Sequence, residues 1–284
     1  MPHKFNPTVL REYDIRGIVG KTLGEADAYA LGRTFAALAL ETGAGRIAVG
    51  RDGRSHSPML ENALVKGLTE GGIHVVRIGM GPSPMLYFAT FALDVDGGIQ
   101  ITGSHNPADY NGFKMLLGGN SVFGAAIQDL GCRSAEGRWS EGAGTVEEAD
   151  VHDAYVDRML EGFTGNSYRI GWDAGNGAAG PILERLIERL PGEHFAIFTE
   201  VDGAFPNHHP DPTVEANLAD LKALVAAKGL DFGIAFDGDG DRIGAVDGKG
   251  RVIWGDQLLL ILAGPVLEAE PGATIIADVK ASQI

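Results

Sequence analysis

Three short stretches of this chain carry side chains whose types and spacing could do chemistry. In GIQITGSHNPADYNGFK, residues 98–114, an apolar run delivers a glycine-flanked loop on which Ser104 is followed by His105, Asn106 and Pro107. A hydroxyl held at a strand's end stands where the active sites of α/β folds gather. Ser and Asn also form ordinary loops by bonding their own backbone, so the stretch alone fits a plain turn as well. A serine-hydrolase elbow requires G-x-S-x-G, and Ser104 lies in no such frame. Lys114 could carry a proton or clamp a phosphate, the alternative being a solvated surface amine.

The second stretch is FGIAFDGDGDRIGAVDGKG, in which a buried-strand pattern ends in Asp237, Asp239 and Asp241 with glycines between them. Three carboxylates at alternate positions of a tight loop repel one another without a cation, and their oxygens suit a hard ion such as Mg²⁺. An EF-hand loop does not fit, because its sixth position is Arg242 where Gly is required and its twelfth is Gly248 where a bidentate Glu is required. An aspartate-nucleophile phosphatase also places alternating Asp residues after a strand, but two residues beyond Asp239 it would have a hydroxyl or small apolar residue, not Asp241. The third stretch, EYDIRG at residues 12–17, offers Arg16 as a bidentate phosphate or carboxylate ligand, with a structural ion pair as the plainer reading. His208 and His209 lie between Pro206 and Pro210 with no third ligand at a useful spacing, which favours a structural role.

The elements that must position these groups follow a βαβ rhythm. A helix is expected from near Thr22, where Thr22-x-x-Glu25 has the form of a capping box and Ala28, Leu31, Phe35 and Leu38 share one face. A strand follows at Arg46 to Gly50, then a helix with Ser57 and Pro58 in its cap and first turn, ending at Gly71-Gly72. HVVRIG and GGIQI are further strands. The layout recurs at RIGWDAGNGAAGPILERLI, and a third start is read at TIIADVKASQI, residues 274–284, where a strand has no helix after it. The fold class expected is therefore α/β, with tandem αβα domains built on mixed, mainly parallel sheets and a truncated third domain. The boundaries are placed at 1–150, 151–252 and 253–284.

Bulk composition narrows the partners. With 284 residues, 44% hydrophobic and 21% charged, the chain has the make-up of a folded globular protein of about two domains. Its 23 Lys and Arg against 38 Asp and Glu give a net charge of -15, which argues against a nucleic-acid partner. Cations that meet an anionic substrate must then be concentrated locally. No apolar run reaches the ~20 residues of a membrane span, so no membrane partner and a soluble, cytoplasmic protein are expected. Cys132 is the only cysteine and is read as structural or neutral.

Taken in order and at these separations, YDIRG, TGSHNP with NGFK, and DGDGDR resemble the alpha-D-phosphohexomutases. WDAGNGAAG and FPNHHPDPT are similar to the second domain of the bacterial phosphomannomutase/phosphoglucomutase branch, and Gly103 fits that branch better than the phosphoglucosamine mutases. The resemblance runs through essentially the whole chain. It implies domain I with the phosphoserine loop at 1–150, domain II with the metal loop at 151–252, and the start of domain III at 253–284. It further implies that Ser104 carries a phosphoryl group and that Mg²⁺ is held by Asp237, Asp239, Asp241 and an oxygen of that phosphate. The reaction implied is interconversion of hexose 1-phosphate and hexose 6-phosphate, of mannose or glucose, through a hexose 1,6-bisphosphate that also serves as activator. By the same likeness Arg16 and Lys114 are general acid/base candidates, His105 supports the loop, and Tyr13, Arg242 and Lys280 contact the phosphosugar. Of the two, Lys114 is the more plausible proton carrier, since an Arg base needs a strongly perturbed site.

Two family landmarks, a sugar-selecting Glu-x-Ser-Gly-His loop and an Arg-x-Ser-Asn-Thr phosphate loop, do not occur in the sequence. The 284 residues alone are therefore expected to be an inactive portion of an active parent, since remote binding groups orient the reacting end. A non-catalytic Mg²⁺ or phosphosugar-binding module and an aspartyl-phosphate phosphatase remain the alternatives.

Overall fold

A computed structural model describes residues 2–279 and 281–282. The chain runs β1 (Ile15–Ile18), α1 (Glu25–Glu41), β2 (Arg46–Arg51), α2 (Ser57–Glu70), β3 (His74–Met80), α3 (Ser83–Ala92), β4 (Gly97–Ile101), β5 (Tyr110–Leu117), β6 (Asn120–Ser121), α4 (Ala125–Glu136), β7 (Val146–Glu148) and α5 (His152–Leu160). These strands make one mixed sheet in the order β1-β5-β4-β2-β3-β7, with β6 beside β5. A second series follows: β8 (Tyr168–Asp173), α6 (Gly180–Ile187), β9 (Gly192–Ile197), α7 (Ala219–Lys228), β10 (Phe232–Phe236), β11 (Ile243–Asp247), β12 (Val252–Ile253) and α8 (Gly255–Ala269). Its sheet order is β12-β11-β10-β8-β9.

In each sheet parallel strands form one part and antiparallel strands the other. β2 pairs in parallel with β3 and β4, and β8 with β9 and β10, whereas β5 and β11 run antiparallel to β4 and β10. Alternation along the strands fills both faces. Ile47 and Val49 pack with Leu31, Phe35, Leu60 and Leu64 of α1 and α2, while Ala48 faces Met85 and Leu86 of α3. In the second sheet Trp172 meets Leu183 of α6, and Ala235 and Val246 meet Leu221 and Val225 of α7. Buried aliphatic side chains of this size each contribute about 1.5–3 kcal/mol, so the cores hold the strand ends rigidly.

Strand order reverses beside β2, whose neighbours β3 and β4 lie on opposite sides, and again beside β8, between β9 and β10. Such switch points open a crevice at the carboxyl ends of the strands. Here both crevices meet, because the loop after β4 carries Ser104 and the loop after β10 carries Asp237 to Asp241.

Two local expectations are corrected. Helix α1 begins at Glu25, not near Thr22, because Gly24 is the cap and its N–H donates to Asp27 Oδ2 at 2.8 Å. Thr22 Oγ1 instead accepts the Ile18 N–H at 2.9 Å and closes the preceding turn. The strand read at Thr274–Val279 is absent; residues 274–278 have no regular structure, and no described strand lies beside them to take up their backbone bonds. Among the described residues no helix is long and apolar enough to cross a membrane.

Candidate active site

Ser104 follows β4 by three residues and is buried, at 2% exposure, with φ at +49°. Left-handed backbone at a non-glycine residue is uncommon and persists where surroundings enforce it. The enforcement here comes from Arg54, a fully buried side chain from the loop after β2. Its guanidinium donates to the carbonyls of Ser104 at 2.8 Å and Asn106 at 2.7 Å, and also to those of Pro107 and Tyr110. Asp52 pairs with Arg54 at 3.2 Å and accepts the Gly103 N–H at 3.1 Å. Burial pulls the Arg54 guanidinium below its ordinary value, with Asp52 opposing. Gly103 has to be glycine, since a Cβ there would stand 2.4 Å from the Arg54 guanidinium.

The second sheet closes on this loop from the other side. Ser104 Oγ donates to Asp237 Oδ2 at 3.0 Å and accepts from Arg242 Nη2 at 2.7 Å. Gly238 allows the approach, because a Cβ at that position would lie 2.4 Å from the Ser104 carbonyl oxygen. Arg242 also donates to His105 Nδ1 and to Asp237 Oδ2. Burial, reinforced by Arg242, lowers the His105 imidazole below its ordinary range and keeps it a neutral acceptor.

Asp237, Asp239 and Asp241 each present an oxygen within 4.8 Å of the others. Asp237 and Asp239 are fully buried. Burial and the two neighbouring carboxylates push Asp237 up to about 7. Burial acts the same way on Asp239, but Lys114 outweighs it and holds that carboxyl low. Lys114 Nζ lies 2.6 Å from Asp239 Oδ2 and also bonds Asp241. Burial pulls Lys114 down, yet the two carboxylates prevail and raise it above its usual range. Asp239 Oδ1 remains buried with no partner. A buried carboxylate oxygen without a donor costs several kcal/mol unless a cation meets it. Crowded acids with an orphaned buried oxygen fit a hard divalent ion.

A cleft of about 560 Å³ opens on these groups, lined by Tyr13, Arg16, Ser104, His105, Lys114, Asp241 and Arg242. Tyr13 is 79% exposed at its rim, and Arg16 is buried, bonded to Asp14 and Asn106 with its Nε unpartnered. Lys280 lies outside the described residues. Of the site residues that the resemblance implied, all the others gather here, Asp237 and Asp239 through their bonds to Ser104 and Lys114. His208 does not; its Nε2 pairs with buried Asp173 Oδ2 at 2.9 Å, a structural placement. Cys132 is exposed and unpaired, on α4.

Sequence reading missed Asp14, Asp52, Arg54 and Ser83. Asp52 and Arg54 stand in RDGRSH at the end of a recognised strand, and that position was the available signal. Ser83 opens α3 in the motif GPSP and donates to Asp239 across the two sheets.

The chain matches Phosphoglucomutase/phosphomannomutase, alpha/beta/alpha domain I, over residues 7–130, and the corresponding domain II over residues 153–250. It is 43% identical over 284 residues to a phosphomannomutase/phosphoglucomutase of Pseudomonas putida, covering 100% of this chain and 61% of that protein. It is 45% identical over 279 residues to a phosphoglucomutase of Neisseria gonorrhoeae, covering 97% and 61%. A crystal structure of a phosphoglucomutase/phosphomannomutase family protein from Burkholderia thailandensis superposes with a TM-score of 0.91 at 43% identity, covering 95% of this chain and 61% of that one. The chain thus spans about three fifths of the length of these relatives.

Proposed function

The chain belongs to the phosphoglucomutase/phosphomannomutase family, and from that premise we propose that it carries the phosphoryl-transfer site of a mutase interconverting hexose 1-phosphate and hexose 6-phosphate, of mannose or glucose. The observation that carries this reading is Ser104 Oγ, 3.0 Å from Asp237 Oδ2 and 2.7 Å from Arg242 Nη2 although 133 and 138 residues separate them in sequence. A hydroxyl enclosed by a carboxylate cluster and an Arg is arranged to carry a phosphoryl group, for which position and electrostatics supply most of the catalysis.

In this reading phosphorylated Ser104 passes its phosphoryl group to the free hydroxyl of a hexose monophosphate, and a hexose 1,6-bisphosphate results. That bisphosphate, turned round, returns its other phosphoryl group to Ser104. Asp237, Asp239 and Asp241, with an oxygen of the phosphoserine, would hold Mg²⁺, which would neutralise charge on the transferring group. Arg242 donates to the serine oxygen as it becomes a leaving group. Arg16 and Lys114 stand on the cleft side as proton carriers for the sugar hydroxyl, with Lys114 held protonated by the acids until their charge is offset. His105, bonded to Arg242, fixes the loop, and Tyr13 and Arg242 touch the phosphosugar. Lys280 completes the set by family likeness alone. We take 1–150, 151–252 and 253–284 as the domain division, the first two each contributing one sheet and one loop to the site.

Incubation with glucose 1,6-bisphosphate followed by phosphopeptide mapping tests the reading. Label is expected on Ser104 and absent from Ser104→Ala. A hydroxylamine-labile label on Asp237 or Asp239 would replace the mutase reading with that of an aspartyl-phosphate phosphatase.

A further inference from the structure

We propose that Ser83 is a positioning residue for the metal-binding carboxylates: its hydroxyl fixes the rotation of Asp239 so that one carboxylate oxygen is presented to the cation. The proposal rests on the metal reading of Asp237, Asp239 and Asp241. Ser83 is fully buried and is the first residue of α3, following the turn that leaves β3 of the first sheet. Asp239 belongs to the second sheet, 156 residues later. The two meet twice: the Ser83 main-chain N–H donates to the Asp239 carbonyl at 2.8 Å, and Ser83 Oγ donates to Asp239 Oδ2.

The division of labour within the carboxylate follows from these contacts. Oδ2 takes both the Ser83 hydroxyl and Lys114 Nζ, the latter at 2.6 Å, whereas Oδ1 is buried and takes no donor. Lysine is a compact charge on a flexible stem and attracts without directing. A hydroxyl on a one-carbon stem, anchored in the first turn of a helix, directs. Its donation to Oδ2 fixes the carboxylate's rotation and leaves Oδ1, buried and without a donor, as the oxygen free to meet a cation. The helix N-terminus adds a favourable field for the negative group.

The turn that carries Ser83 is itself held by the strand that leads into the Ser104 loop. Gln100 of β4 donates from Nε2 to the Gly81 carbonyl at 2.9 Å. Pro82 closes on the metal loop, where a Cβ placed at Gly240 would stand 3.0 Å from Pro82 Cβ. One strand therefore sets both the hydroxyl proposed to carry phosphate and the hydroxyl that aims a metal ligand. Groups bonded to ligating carboxylates in this way typically tune metal affinity 10–100-fold.

The test is titration of the purified chain with Mn²⁺, followed by calorimetry and electron paramagnetic resonance, for the unaltered protein, Ser83→Ala and Ser83→Cys. The cysteine variant keeps the volume and weakens the donor. Both variants are expected to bind Mn²⁺ roughly 10- to 100-fold more weakly, with an altered resonance line shape reporting a changed ligand arrangement. Melting in EDTA shows whether each variant is folded before metal is added. Unchanged affinity and line shape in either folded variant would overturn the proposal and leave Ser83 as a clamp between the sheets. Absence of saturable Mn²⁺ binding by the unaltered chain would overturn the metal reading itself, which is a distinct result.

Discussion

Lys114 is the counter-charge of the acidic loop and, in the function proposed above, would also carry a proton for the sugar. Its ammonium bonds both Asp239 and Asp241, and its side chain is only 15% exposed. In the absence of a divalent ion it is the cation that makes burial of Asp239 tolerable. Replacing it with Met removes the charge and keeps the stem, leaving a fully buried carboxylate opposed by its neighbours. Breaking a buried pair from one side typically costs about 3–5 kcal/mol. The expected outcome for Lys114→Met is a loss of that order in urea unfolding in EDTA, and recovery of most of it on addition of Mg²⁺. An equal loss with and without Mg²⁺ would show that Lys114 and the metal do not answer the same charge.

At the scale of elements, the segment between β9 and α7 is pinned to the end of β8 by His208, whose Nε2 meets Asp173 Oδ2 at 2.9 Å while its ring lies edge-on to Phe198 at 5.5 Å. The hydrogen bond to Asp173 raises the His208 pKa above its ordinary value, burial opposing it. A group raised on folding contributes stability that is fully present below the unfolded pKa of about 6.5 and is lost as pH rises through the folded value. His208→Ala is therefore expected to cost on the order of 1–3 kcal/mol at pH 5.5, where a buried acceptor loses a charged donor, and distinctly less at pH 8.5. Denaturant midpoints at the two pH values measure it, and a pH-independent difference would assign the whole effect to packing. Sequence reading reached this pair only halfway, since the prolines argued for a structural His208 but nothing local named Asp173. The same limit recurs elsewhere. β2, β4, β8 and β10 were legible because each is an apolar run that ends in a glycine-containing polar turn, and the ends of β4 and β10 held Ser104 and the acidic loop. Arg54 was not, because its meaning lies in four carbonyls fifty or more residues later. Ser83 reads as a helix start, and only the docking of the second sheet reveals its bond to Asp239. At Thr274–Val279 an apolar, β-branched run suggested a strand, but propensity without a neighbouring strand made none.

For the molecule as a whole, the site exists only where the two sheets meet. Ser104, Ser83 and Lys114 come from the first, and Asp237, Asp239, Asp241 and Arg242 from the second, so neither sheet alone presents both the hydroxyl and the acids. The chain carries a net charge of -15, yet Arg11, Arg16, Lys114 and Arg242 line one cleft together with Glu12, Asp14 and Asp241, a local gathering of cations that suits the anionic substrate proposed above. A metal bound to the acids and to phosphate on Ser104 would tie the sheets together, because its ligands would then come from both. Binding to the folded state alone adds about 2.7 kcal/mol of stability at a ligand concentration one hundred times Kd. If that energy acts across the junction, it must suppress opening on both sides of it. Hydrogen exchange of the Ser104-phosphorylated chain is therefore expected to slow on adding Mg²⁺ at residues 101–106 and 237–242 together, and Asp237→Asn should abolish both effects. In unphosphorylated protein the slowing should be confined to 237–242, since Ser104 then offers the ion no anionic oxygen. Protection of 237–242 alone in the phosphorylated chain would mean that the ion is held by the second sheet without the phosphate, and the bridging role would have to be abandoned.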